Sequence, residues 1–176
     1  VNGVATDVGM QITLASGALL TVSANGSYAY DPDGQYDWLQ VGQSTTDSFT
    51  YTMPDSQVAT DTATVTITIQ ALNDAPVAGD DTGSTDENSV LTVAASGVLA
   101  NDTDADNGDA KTITAVNGIV GYVGAQFTLA SGAMLTVSAN GSYSYDPNGQ
   151  FESLQIGAST TDTFTYTVAD SLGATD

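Results

Sequence analysis

Residues 62–70, TATVTITIQ, alternate strictly between apolar side chains and threonine. Val65, Ile67 and Ile69 share one face and the threonines the other, the mark of a half-buried strand. DSFTYTM (47–53) repeats the pattern, with Phe49, Tyr51 and Met53 opposite Thr50 and Thr52. No stretch holds a helical period for a useful length. The nearest, QYDWLQVG (35–42), predicts a single helical turn with Trp38 and Leu39 as plugs. Short alternating runs divided by Asn-Gly, Asp-Pro and glycine-rich turns predict an all-β chain of antiparallel sandwiches.

One hairpin can be read to the residue. In ALLTVSANGSYAY (18–30), a two-residue Asn25-Gly26 turn would put both tyrosines opposite the Leu20/Val22 face. A three-residue loop, Ala24-Asn25-Gly26, with the glycine left-handed, pairs Val22 with Tyr28 and Leu20 with Tyr30. A one-residue slip inverts every side chain, so the second register is expected, with the tyrosines in or half in the core. A carbohydrate-stacking face of exposed tyrosines is the alternative.

The sequence repeats itself. TLASGALLTVSANGSYAYDPDGQ begins at 13 and returns as TLASGAMLTVSANGSYSYDPNGQ at 128; STTDSFTYT at 44 returns as STTDTFTYT at 159, an offset of 115 each time. Residues 1–61 align with 116–176 without a gap. The chain reads as one and a half units excerpted from a longer array: residues 1–74 as the later part of one repeat, 75–78 as linker, and 79–176 as a second repeat without its last strand. A permuted unit, 62–176, is the other division. Strands around Phe164 and Tyr166 then lack the counterpart of 62–70. Such an apolar edge invites another chain or segment by strand addition, or self-association.

Composition narrows the partners. The 176 residues carry 21 acids and a single base, Lys111, for a net charge of −20. Nucleic acid and anionic membrane surfaces, which need Lys and Arg, are improbable partners. There is no apolar run long enough to span a bilayer and no signal peptide. There is no Cys and no His, which removes disulfides, thiolate sites and the common nucleophile–base pairs. A carboxylate pair could hydrolyse glycosides, but the acids stand in turn-like clusters, so no enzyme is expected.

The acids are almost all aspartate; Glu87 and Glu152 are the exceptions. LANDTDADNGDAK (99–111) groups Asn101, Asp102, Asp104, Asp106 and Asp109 with no cation to balance them. An EF-hand is excluded: counted from Asp102, position 6 is Asn107 and position 12 is Ile113. Calcium still needs only six to eight oxygens, and alternate aspartates on a loop can turn to one point. Asp80, Asp81 and Glu87 in GDDTGSTDEN, and Asn73 and Asp74 in LNDAPVA, are further candidates. Solvated turns are the alternative.

LANDTDADNGDAKTITAVNG, ANGSYSYDP, STTDTFTYTVAD and TVTITIQALNDAPVA together resemble the VCBS-type, cadherin-like repeats of large bacterial RTX adhesins. The resemblance implies tandem Ig/cadherin-like sandwiches, type I secretion to the cell surface, calcium near the junctions between neighbouring repeats, and a part in adhesion and biofilm formation. NDAP is similar to the calcium-ligating linker of cadherins, and Asp104 and Asp106 to their Asp-x-Asp pair; the cadherin Asp-Arg-Glu motif has no match. A calcium-stiffened spacer is the expectation. A polysaccharide-binding module of the same adhesin is the alternative, with Trp38, replaced by Ser153 in the second copy, as the residue to follow.

Overall fold

Strands form where the period of two predicts them, within two units, Val1–Asn73 and Asp74–Asp176, taken here in turn. The computed structural model describes residues 1–106 and 108–176; Asn107, in the acidic loop, lies outside the described residues. In the first unit β1 (Gln11–Thr13), β2 (Leu19–Val22) and β3 (Tyr28–Asp31) form an antiparallel sheet in that order, while β4 (Ser44–Pro54) and β5 (Thr60–Gln70) form a long hairpin. The β2–β3 ladder pairs Leu20 with Tyr30 and Val22 with Tyr28, the register that keeps apolar residues together. β4 and β5 pair from Ser44 opposite Gln70 to Pro54 opposite Thr60. Val1, Leu14, Leu20, Val22 and Phe49 form the core, with Val65 and Ile67 of β5 packed on it. Burial of each such side chain stabilises by roughly 1.5–3 kcal/mol.

The second unit is a two-sheet sandwich. β6 (Leu91–Val93), β10 (Tyr143–Asp146), β9 (Met134–Val137) and β8 (Gln126–Thr128) make one antiparallel sheet, in that spatial order. β7 (Thr112–Val116) and β11 (Tyr166–Ala169) make the other, with a bulge at Thr167/Val168. Inward residues of both sheets meet in one core: Phe127, Leu135 and Val137 from the first, Ile113, Val116 and Val168 from the second.

Two details depart from the sequence reading. Residues 35–42 form consecutive tight turns, closed by Gln35 N–H to Pro32 O and Leu39 N–H to Tyr36 O, in place of a helical turn. Leu39 is buried as expected, but Trp38 is 56% exposed and donates its indole N–H to Gln35 O at 2.9 Å. Tyr28 is exposed, whereas its counterpart Tyr143 is half-buried beside β6, opposite Val93.

The hairpin loops of the two units isolate one packing contact. Gly26 and Gly141 have φ of 88° and 82°. A Cβ on Gly26 meets open space; on Gly141 it would collide with the Ser96 carbonyl oxygen. Residues 96–99 cross that turn closely, with Val98 N–H donating to Gly141 O at 3.0 Å. Gly26→Ala should therefore cost about 1 kcal/mol, the left-handed penalty alone. Gly141→Ala should cost roughly 2–4 kcal/mol, because backbone must move. Denaturant unfolding of both variants, with hydrogen exchange on β2–β3 and β9–β10, checks this; equal costs would contradict it.

Candidate metal centre

The acidic loop is anchored by main chain before any carboxylate is considered. Val77 and Thr103 exchange two hydrogen bonds, at 2.8 and 2.9 Å, in an antiparallel bridge. Pro76 beside it is fully buried, and its fixed φ stiffens the segment. Two further bonds cross the same gap. Gly79 N–H donates to Asp102 Oδ1 at 2.9 Å, and Asp74 N–H to Asp106 Oδ2 at 2.8 Å. Asp106 N–H in turn donates to Asp104 Oδ1 at 2.9 Å, a local turn typical of Asp.

These bonds satisfy one oxygen of each carboxylate and leave the other. Asp102 and Asp106 are 5% and 4% exposed. Asp102 Oδ2, Asp104 Oδ2 and Asp106 Oδ1 are buried with no hydrogen-bond partner among the described residues. The carboxylates of Asp104, Asp109 and Asp170 also converge, with one oxygen from each lying within 4.8 Å of the others. Two unit charges at that distance repel by roughly 3 kcal/mol at an effective dielectric near 20. Asp109 Oδ1 accepts from Ala110 N–H at 2.7 Å. Asp170 Oδ1 accepts from Leu172 and Ala174 N–H at 2.9 and 2.8 Å. Carboxylate oxygens buried without a hydrogen-bond partner among the described residues, on a loop that also brings Asp104 and Asp109 to Asp170, suit a hard divalent ion that takes oxygen ligands.

Beside this group, the Tyr166 hydroxyl faces four acceptors: Asp102 Oδ1 at 2.9 Å, Gly79 O and Val98 O at 3.1 Å, and Asp81 Oδ2 at 3.3 Å. It has one proton to give. Burial, then the bond to Asp102 and the charges of Asp102 and Asp81, push the phenol well above its ordinary range. Desolvation also raises the Asp81 carboxyl; the Tyr166 bond opposes this, and the charges of Asp102 and Asp80 add to it.

The remaining sequence candidates take different places. Asn101 donates its side-chain amide to Asp80 O at 2.9 Å, so it fastens main chain, and the Asp80 side chain is exposed. Glu87 lies in the exposed turn at 85–89, where it accepts from the Asn88 side chain. Asn73 is half-buried and ends the first unit; Asp74 opens the second. Asp31 and Asp86 show the solvated-turn alternative in pure form: each is exposed and caps main-chain N–H two residues on.

Asp170 escaped the sequence reading. It sits in a hairpin turn whose counterpart, Asp55, caps Gln57 and Ala59 N–H in the same way but is exposed. The local sequence carries no signal that separates them. Pairing of β11 with β7, Ala169 opposite Thr112, delivers Asp170 to the end of the acidic loop.

The family model of the bacterial cadherin-like domain matches residues 1–71 and 73–176. Domains of that kind are structural or adhesion-type modules, and this chain belongs to the family. Comparison with curated proteins gives no match.

Repulsion within the cluster gives a signed expectation. In chelator, Asp170→Asn keeps the turn-capping oxygen but removes a charge, and should stabilise the second unit by about 1 kcal/mol. Asp55→Asn should be neutral. Thermal unfolding of both variants without divalent ions checks the difference.

Proposed function

We propose that this chain is a non-catalytic structural module of a large secreted bacterial surface adhesin, stiffened by calcium as a spacer in cell adhesion and biofilm formation. The observation that carries the reading is the set of three buried oxygens on Asp102, Asp104 and Asp106 with no hydrogen-bond partner among the described residues, on the loop from which Asp104 and Asp109 converge with Asp170. Leaving such oxygens dry costs several kcal/mol. Calcium, with its flexible coordination by carboxylate and carbonyl oxygen, matches the donor set. Membership of the cadherin-like family supports the adhesion part.

Stiffening follows from how the loop is tied. Asp74, the first residue of the second unit, is held through its N–H by Asp106. A cation that fixes Asp106 thereby fixes the main chain where it leaves the first unit. Without the cation, the carboxylates repel and that hold loosens. The absence of His and Cys supports the non-catalytic assignment.

Calorimetric titration of calcium into chelator-treated protein should give saturable binding. At a hundred times the dissociation constant, calcium should stabilise by about 2.7 kcal/mol. Asp104→Asn with Asp106→Asn should weaken binding by roughly tenfold or more, the effect of losing about 1.4 kcal/mol, whereas Asp31→Asn with Asp33→Asn should leave it unchanged. Equal affinities would remove the loop from the site. Small-angle scattering should show a narrower spread of shapes with calcium than with chelator; superimposable profiles would remove the spacer role.

A further inference from the structure

β11 brings two side chains to the acidic loop. Asp170, just past its last residue, converges with Asp104 and Asp109. Tyr166, its first residue, reaches Asp102. The Tyr166 backbone pairs with Val116 of β7, and the ring packs against the core cluster of the second unit. A ring fixed by strand pairing and by close packing leaves its tip little freedom. The core therefore sets where the hydroxyl stands.

Asp102, only 5% exposed, divides its two oxygens. Oδ1 takes two donors, Gly79 N–H and Tyr166 O–H, each at 2.9 Å. Oδ2 is buried with no hydrogen-bond partner among the described residues. Asp104 and Asp106 are divided likewise, but their occupied oxygens take main-chain N–H, from Asp106 and Asp74. Of the three, Asp102 is the one held by a side chain from a strand distant in sequence. The hydroxyl has one proton for four acceptors. Asp102 Oδ1 is the nearest of them and carries charge, which makes the stronger bond. A carboxylate with one oxygen pinned by two donors does not turn freely. Its other oxygen is left for a partner that needs a lone pair, which a cation does.

We propose that Tyr166 is a positioning residue for the cation: it fixes Asp102 so that Oδ2 serves as a ligand, and it thereby ties cation binding to β11 and the core. The inference rests on the calcium reading above. Ligating carboxylates are themselves hydrogen-bonded, and losing such an outer partner typically costs about ten- to a hundredfold in metal affinity. Phenylalanine at 166 keeps the ring and its packing but removes the proton that holds Asp102 Oδ1. The Gly79 N–H bond that remains leaves the carboxylate free to pivot. Coupling of this kind is reciprocal: a residue that strengthens cation binding is itself restrained by the bound cation.

The test uses the whole 176-residue chain, with calcium as the probe. Calorimetric titration into chelator-treated protein should show Tyr166→Phe binding roughly tenfold or more weaker than the unmodified chain. Tyr145→Phe is the control, because it deletes a hydroxyl that donates at 3.1 Å to Asp162 Oδ2, a carboxylate outside the acidic loop. It should lower the melting temperature in chelator yet leave calcium affinity unchanged. A double-mutant cycle locates the effect. Adding Tyr166→Phe to Asp102→Asn should weaken binding by less than about twofold more, since the tyrosine acts through that carboxylate. In the unmodified chain, nuclear magnetic resonance should show the Tyr166 ring signals moving with the calorimetric midpoint while those of Tyr145 stay, a readout that stands even where a variant fails to fold. Equal affinity in Tyr166→Phe, an additive loss in the double variant, or Tyr166 signals indifferent to bound calcium would each overturn the proposal and leave the calcium reading intact. Absence of binding by the unmodified chain would overturn both.

Discussion

Everything about the second unit turns on negative charge that has nowhere to go. A chain with 21 acids and one base can leave most aspartates in water, where solvent screens them. It does so in the turns at Asp31 and Asp86. Folding nevertheless draws Asp102, Asp106 and Asp170 out of solvent, because the loop bearing the first two bridges to residues 74–79 while β11 carries the third to the same place. Sandwich closure and charge concentration are therefore one event. Hydrophobic burial drives the sheets together, and the acidic end bears the electrostatic cost.

The Tyr166 hydroxyl belongs to the same problem. It joins β11 to two main-chain carbonyls and two carboxylates, but its single proton satisfies one acceptor at a time.

Particular residues show how far the sequence could be read. The hairpin register was legible because a slip of one residue would turn Tyr28 and Tyr30 to the face opposite Leu20 and Val22. β5 was legible from its period of two. The acidic loop was legible as a candidate site because Asp102, Asp104, Asp106 and Asp109 are close in sequence. Three things were not. Trp38 points outward because tight turns place it and Leu39 on opposite sides, which no local pattern reveals. Asp170 enters the cluster through a pairing of distant strands, while the matching Asp55 remains an ordinary turn residue. Asn101 and Glu87 have side chains as suited to oxygen ligation as their neighbours, yet one secures main chain and the other lies in an exposed turn, accepting only from the Asn88 side chain. Residue type indicated the chemistry; topology selected the participants.

The close likeness of the two copies also bears on how the chain reaches its fold. Residues 44–54 and 159–169 present nearly the same edge to any segment like Thr60–Gln70. During folding, near-identical copies offer such a segment nearly degenerate partners. The short turn at residues 55–59 gives its own hairpin the advantage in loop-closure entropy, and formation within microseconds lets the local pair win. In a solution of partly folded chains, that head start disappears between molecules. Near-identical neighbours are then prone to exchange strands, a failure mode familiar in repeat proteins. Divergence at the turn itself, Val58 with φ of 72° in one copy and Gly173 with φ of 91° in the other, makes the two hairpins unequal in cost, since a β-branched residue bears strain there that glycine does not.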